Sequence, residues 1–287
     1  MPDKPKVGAA DGPWSKFARY ELAHSEARKG YPDVERLLNA PLPRQPQDRL
    51  GEGPHEKARA QPKSARGEPL TARLRERYLD TLASIYIYNE HRGYTSLDRV
   101  LEAVRAVCPE DHTFIAAIES HRADEEKHYR MFRRWFELRG RMPLAVDHTC
   151  GHIDRFIEAV FGCTIEQLDT ARIIAEPAEF EKLCRVIMLT EQRGYAQVEL
   201  LLRNTAVQSD PVMSRIFRII HRDEPSHFLP YQHWLERNGK APANWRERLT
   251  DYTIHKSLLL AKLPSLFLNP SLRRLREWPD VDGEVYS

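Results

Sequence analysis

Apolar residues recur at intervals of three and four from residue 70 onward, and the first run extends to about residue 104. This spacing is typical of an amphipathic α-helix, in which one face packs against the protein core. No run of alternating β-branched residues competes with it. The sequence therefore predicts an all-α chain. The face of the first long helix comprises Leu79, Leu82, Tyr86, Glu90, Gly93, Leu97, Leu101 and Val104.

The same periodicity predicts further helices down the chain. The second ends before Gly140 and Pro143, and the fourth before Gly239 and Pro242, because glycine and proline terminate helices. A last, amphipathic helix is expected to pack outside the others. The predicted spans are about 111–139, 180–201, 210–238 and 244–263.

The first seventy residues differ from the rest. A helix-compatible stretch runs from Trp14 to Leu38, and a segment rich in proline, glycine and charge follows it. Such a composition indicates an extended or mobile wrap without a core of its own. We therefore expect an N-terminal extension at 1–70, a helical domain at 71–240, and a C-terminal helix and tail at 241–287 packed on that domain.

Composition narrows the functional classes. The 287-residue chain is 41% apolar and 30% charged, as in soluble globular proteins with a core. Its net charge of +2 does not indicate a nucleic-acid or membrane-surface partner. No apolar run approaches a membrane span, and the first residues lack a signal-peptide pattern. The four cysteines show no Cys-x-x-Cys spacing, which argues against a rubredoxin-type or zinc-ribbon module and favours the cytoplasm.

One motif occurs twice. Glu-x-Arg-Gly-Tyr stands at 90–94 and again at 191–195, and each copy is followed by Asp-Glu-x-x-His. The two glutamates lie 35 residues apart in the first copy and 33 in the second. Each copy then has tryptophan seven residues after the histidine and glycine fifteen after the second glutamate. The repeat predicts two copies of one helix pair, and hence a four-helix bundle with a pseudo-twofold axis.

The repeated residues are typical metal ligands. Residues three apart share a helix face, so each Glu-x-x-His presents a carboxylate and an imidazole inward. Four buried carboxylates without cations would carry a large desolvation penalty, which two divalent metals would remove. The mixed oxygen and nitrogen set suits iron or manganese better than zinc. The candidate ligands are Glu90, Glu125, His128, Glu191, Glu224 and His227.

This ligand order resembles that of the ferritin-like superfamily of di-iron oxidases and oxygenases, over about residues 71–240. The resemblance implies a ferritin-like four-helix bundle with two iron ions, or a manganese–iron pair. In many members the ligand glutamate follows an aspartate that holds a ligand histidine. By the resemblance, Asp124 would hold His227, and Asp223 would hold His128. A ligating imidazole indeed needs its other N–H anchored.

The resemblance implies an oxygenase or oxidase that activates O2 and acts on a small organic substrate. Electrons would come from a separate reductase, a small carrier or the substrate, and a homodimer is compatible with the sequence. Two alternatives stay open: a peroxide-scavenging or iron-oxidising protein without an organic substrate, and a metal-stabilised helical binding protein. A roomy apolar pocket beside the metals would favour the oxygenase. The subfamily, the substrate and the electron donor are left open.

Several neighbouring residues have two interpretations each. Tyr94 and Tyr195 follow their glutamates by one turn, either as packed tyrosines or as a hydrogen-bonding or redox relay beside the metals. Gly93 and Gly194 allow either close helix crossing or space for O2.

His221 lies three residues before Glu224, and His121 lies four before Glu125. An arylamine N-oxygenase family has an extra metal-binding histidine four before this glutamate, so His221 is a candidate extra ligand or a supporting histidine. Pro225 and Pro230 predict a local distortion of the fourth helix, with a widened turn as one form of it.

Overall fold

The computed structural model describes residues 32–42 and 69–279, which belong to two compact units divided after Ala40. In the described part of the first unit, α1 spans Pro32–Leu38 and buries Val34 and Leu37. The rest of the predicted N-terminal extension, including most of the Trp14–Leu38 stretch, lies outside the described residues.

The described part of the second unit is predominantly helical, so the prediction of an all-α chain is confirmed there. The described residues form no strand, only an isolated bridge between Leu144 and Arg274. Among these helices, none combines the length and apolar content needed to cross a lipid bilayer. The helices are α2 Leu70–Val107, α3 His112–Glu137, α4 His152–Phe161, α5 Thr170–Ala175, α6 Pro177–Leu201, α7 Thr205–Gln208, α8 Pro211–Asp223, α9 Pro225–Arg237, α10 Trp245–Ser257 and α11 Leu263–Leu268.

Two helix pairs form the centre of this unit. α2 packs along α3, α6 packs along α9, and α3 joins the pairs through contacts with α8 and α9. The pairs end alike, because Gly140 after α3 and Gly239 after α9 both adopt positive φ angles, of 59° and 62°. Such angles cost glycine little, so it commonly follows a helix C-terminus.

The predicted distortion of the fourth helix is present at Glu224, where α8 ends and α9 begins at Pro225. Proline has no N–H to continue the helical ladder. The next turn is narrow, since the His227 amide donates to the Glu224 carbonyl, three residues back, at 2.9 Å. The widened form is therefore not observed here. α9 also continues through Pro230 without a break.

Shorter elements cover the two helix pairs. α4 and α5 both contact α2, and α4 also contacts α6 and α10. The predicted last helix is α-helical from Trp245 to Ser257, and helical structure continues through a π-helical turn at Leu258–Lys262 into α11. There the Leu263 amide donates to the carbonyl of Leu258, five residues back, just before Pro264. This segment contacts α2 through α11, and it borders the site described below.

Candidate metal centre

Four helical segments bring the six predicted ligands into the interior of the second unit. α2 carries Glu90, α3 carries Glu125 and His128, α6 carries Glu191, and the α8–α9 junction carries Glu224 and His227. The two histidine side chains are fully buried, and the carboxylate side chains are between 8% and 17% exposed. The residues therefore lie where charged groups need a partner.

A first group of ligand atoms comes from Glu90, Glu125 and His128. One atom of each lies within 4.8 Å of the others. His128 Nδ1 is 3.3 Å from Glu90 Oε2. This group thus offers two carboxylates and one imidazole.

A second group comes from His121, Glu125, Glu191 and His227, again within 4.8 Å. His227 Nδ1 is 3.2 Å from Glu125 Oε1 and 3.9 Å from Glu191 Oε2. Glu125 belongs to both groups, so its carboxylate lies between them.

Glu224 is the one predicted ligand outside both groups. Its Oε2 atom lies 3.8 Å from His227 Nδ1, on the edge of the second group. That oxygen is buried and has no hydrogen-bond partner among the described residues. Glu224 therefore lies next to the second group without belonging to it.

Two aspartates lie on the far side of the histidine rings. Asp223 Oδ2 lies 3.2 Å from His128 Nε2, within hydrogen-bond distance, whereas Asp124 Oδ2 lies 3.6 Å from His227 Nε2, slightly beyond it. This is the cross-pairing that the resemblance implies. It leaves each Nδ1 atom facing the carboxylates, which is how a ligating imidazole is oriented by its outer partner.

Lys127 links the two aspartates. The sequence pattern did not identify it as part of the site. Its Nζ donates to Asp124 Oδ1 at 2.5 Å and to Asp223 Oδ2 at 2.7 Å. Its place directly before His128 was the only signal, since the reach of a flexible lysine to a second helix cannot be read from spacing. The second copy has Ser226 at this position.

The carboxylates are crowded enough to retain protons in the metal-free protein. Burial, and then the neighbouring Glu125, raise the pKa of Glu90 to about 7. Burial and nearby carboxylates raise the pKa of Glu224 to about 8, and that of Glu191 well above its usual value. Burial alone would raise the pKa of Glu125, but the adjacent imidazoles of His121 and His227 outweigh it and lower that pKa. The negative charge thus concentrates on the shared carboxylate.

His121 and His221, which precede the ligand glutamates, have different surroundings in the structure. His121 is buried, lies 3.5 Å from Glu125 Oε1, and stacks on His227 with ring centroids 4.1 Å apart. His221 is half-buried and stacks on Tyr195 at 4.8 Å. His221 belongs to neither ligand group, whereas His121 belongs to the second; the choice between the two interpretations of His221 stays a prediction.

Tyr94 and Tyr195 belong neither to the two groups nor to the walls of the adjoining cavity. Tyr94 is buried against the rings of His91 and Tyr129. Tyr195 stacks on His221. A relay role for the two tyrosines stays a prediction.

Gly93 makes room for a ligand carboxylate, and Gly194 lies beside another. A Cβ at Gly93 would overlap the carboxylate of Glu125, whereas at Gly194 the nearest atom, Glu224 Oε1, would lie 3.4 Å away. Both glycines also line the cavity. Space beside a ligand therefore explains Gly93, whereas a side chain at Gly194 would make only an ordinary contact.

A cavity of about 170 Å³ lies between α2 and α6 and adjoins the ligands. Four ligand carboxylates, those of Glu90, Glu125, Glu191 and Glu224, line it. Apolar cavities of roughly 150 Å³ are large enough to bind benzene. The rest of the wall is largely apolar, with Ile153, Ile157, Ile165, Ile173, Leu183, Ile187, Leu258 and Leu259 among its residues.

The donor set fits a pair of metal ions. His128 Nδ1, His227 Nδ1 and His121 Nε2 are buried and have no hydrogen-bond partner in the described ranges. Each faces a carboxylate at a distance that leaves space for a shared cation. Comparisons of the chain with protein-family models, curated proteins and solved structures found no match. The functional argument therefore rests on this geometry.

Proposed function

We propose that this chain is a non-haem di-iron oxidoreductase that activates O2 and acts on a small organic substrate. One observation carries the proposal: two buried groups of ligand atoms share Glu125 and open onto an apolar cavity. A manganese–iron pair is the alternative cofactor, because the oxygen and nitrogen ligands suit both metals.

A ferritin-like four-helix bundle is the fold that best explains the arrangement. The helix pairs α2–α3 and α6–α9 carry the repeated motif, with α8 preceding α9. α2 and α6 each supply one glutamate, and Glu-x-x-His comes from each of the other two segments. This distribution of ligands is that of di-iron carboxylate bundles.

Bound, reduced iron would supply electrons to O2 beside the cavity. The protein's own residues have simpler tasks. Glu125 belongs to both groups, Asp223 orients the ring of His128 through a hydrogen bond, and Asp124 lies beside the ring of His227. The apolar wall excludes water and keeps a substrate next to the carboxylates. A separate reductase, a small carrier or the substrate itself would restore the electrons.

A peroxide-scavenging or iron-oxidising protein would use the same ligands without an organic substrate. The cavity favours the oxygenase over this class, because a protein that handles only O2, peroxide and iron needs no apolar chamber of this size. The third class, a metal-stabilised binding protein, is disfavoured by the burial of Glu90 and the position of Glu191 in the cavity wall.

The proposal is tested by loading the metal-free protein with Fe(II) under anaerobic conditions and then exposing it to O2. We expect about two irons per chain and a transient visible absorption after O2 is added. Failure to take up iron would refute the proposal.

A pair of adjacent variants tests the assignment of the shared ligand. Glu125→Gln should lower iron binding, because both groups lose their common carboxylate. Glu126→Gln is the matched control, since Glu126 instead pairs with Arg122 and Arg130 at the surface. Equal iron content in both variants would show that Glu125 is not a ligand.

A further inference from the structure

His121 gives the two ligand groups unequal compositions. The first group has one imidazole, from His128, whereas the second has two, from His121 and His227. His121 Nε2 lies 3.5 Å from Glu125 Oε1 and 3.8 Å from Glu191 Oε1. Both ring nitrogens of His121 are buried and lack a hydrogen-bond partner in the described part of the chain.

Helix geometry explains why only one of the two copies contributes this histidine. A residue four before a glutamate is rotated about 40° to one side of it, and a residue three before is rotated about 60° to the other. His121 therefore turns toward Glu191 on α6, while His221 turns toward Tyr195. The second copy has two fewer residues between its glutamates, but this difference does not bring His221 to the position that His121 has in the first copy.

Ligand composition controls metal preference. Imidazole favours the later divalent metals of the first transition row, and carboxylate favours manganese and magnesium. A site with two imidazoles therefore binds cobalt or iron more tightly than a neighbouring site with one. The shared Glu125 increases this difference in affinity. Once a cation in the second group has bound, it partly neutralises the Glu125 carboxylate, which then attracts a cation in the first group less strongly.

We infer that His121 is an additional metal ligand and that the two metal positions are consequently unequal. The position of His121 and His227 fills first, and the position of Glu90 and His128 fills second and accepts manganese more readily. This inference rests on the proposed two-metal function. It goes beyond it by assigning an order of filling to the two positions.

The test is an anaerobic titration of the metal-free, full-length chain with Co(II). Calorimetry and visible absorption measure binding during the titration. We expect two separate binding phases. His121→Leu should weaken the first phase at least about tenfold, because even the loss of a group that only supports a ligand costs roughly 10- to 100-fold. His221→Leu is the matched control and should keep both phases.

A second variant, His121→Gln, keeps a polar side chain in the buried position and should weaken the first phase in the same way. Far-ultraviolet circular dichroism verifies that each variant is folded. Mn(II) added to protein that already holds one Co(II) should then bind, with loss of the free Mn(II) signal in electron paramagnetic resonance.

The outcomes separate the inference from the proposed function. If wild-type protein binds two Co(II) ions in one undivided phase, or if a folded His121 variant titrates like wild type, the inference is wrong and the two-metal proposal stands. If wild-type protein binds no Co(II), both are wrong.

Discussion

At the scale of single residues, the site depends on side chains that fill or leave small spaces around the ligands. Gly93 leaves the space that the Glu125 carboxylate occupies, and Lys127 holds the two aspartates behind the histidines. Neither residue contacts the predicted metals directly. Both nevertheless determine where a ligand atom lies, and substitutions at these positions test the geometry without removing a ligand.

Alanine at Gly93 should reduce metal binding, whereas alanine at Gly194 should not. The Cβ at position 93 displaces the flexible end of Glu125, but at position 194 it meets Glu224 only at van der Waals distance. Both variants should stay folded and gain up to about 1 kcal/mol of helix stability. Metal content and thermal unfolding measure the two effects. Equal metal affinity in both variants would contradict the role given to Gly93.

Removing the positive charge of Lys127, which pairs with both Asp124 and Asp223, should destabilise the protein. Lys127→Met leaves Asp124 and Asp223 buried without their common partner, so the free energy of unfolding should fall by about 3 kcal/mol. Lys182→Met is the control, because Lys182 pairs with Glu179 near the surface and such pairs contribute less than about 1 kcal/mol. Urea unfolding of the metal-free proteins measures both. A loss no larger than that of the control would exclude a structural role for Lys127.

At the scale of helices and turns, capping residues determine where the helices that carry the ligands begin. Asp210 caps α8, since its side chain accepts from the amides of Val212 and Met213 at 3.0 Å. Trp135 Nε1 on α3 donates to the same carboxylate at 3.1 Å, and Arg139 also binds it. One residue therefore fixes both the start of α8 and its position against α3.

Asp210→Ala should cost more stability than the loss of a helix cap alone. A cap contributes about 1–2 kcal/mol, and leaving the Trp135 N–H and Arg139 without an acceptor adds to this, giving about 2–4 kcal/mol. Asp169→Ala removes the comparable but exposed cap of α5, where the Arg172 amide donates to Asp169, and should cost about 1 kcal/mol. Urea unfolding compares them. Equal losses would show that the contacts to α3 contribute nothing.

Helix spacing predicted these elements well because it depends on local chemistry. The long helices, the glycines that end them and the interruption at Pro225 are all properties of short segments. The different positions of His121 and His221 follow from a shift of one residue in register, which matters only once the facing helix is in place. The cavity depends on how α4, α5 and the π-helical turn pack over α2 and α6, which no local pattern encodes.

At the scale of the whole molecule, the candidate site lowers the stability of the metal-free protein. Four carboxylates face one interior space, and burial together with mutual repulsion raises the pKa of three of them. Metal ions would remove this cost, so binding and stability should be linked. Metal binding at the proposed centre would therefore raise the stability of the fold.

The stability of the metal-free protein should fall as the pH rises from about 6.5 to about 9. The folded-state pKa is about 7 for Glu90 and about 8 for Glu224. For His128, burial lowers the pKa, but the hydrogen bond with Asp223 and the nearby carboxylate of Glu90 outweigh this and raise it to about 9. All three pKa values exceed those of the unfolded chain, so the folded protein binds more protons and loses this stabilisation as they dissociate.

Thermal unfolding at pH 6.5 and pH 8.5, with and without Mn(II), measures this linkage. The stabilisation by metal should be larger at the higher pH, where the carboxylates are ionised before the metal binds. The opposing groups, His121 and His255, have pKa values lowered to about 4 chiefly by burial, so they act below this range. A metal-free protein that becomes more stable between the two pH values would contradict the assignment.

The central claim, that the interior of the helical unit binds two metal ions, is tested most directly by anomalous X-ray scattering at the iron edge from iron-loaded crystals. We predict two strong peaks inside the unit, one beside Glu90 and His128 and one beside Glu191 and His227, with the Glu125 carboxylate between them. Peaks confined to the protein surface, or no peak near Glu125, would contradict the account.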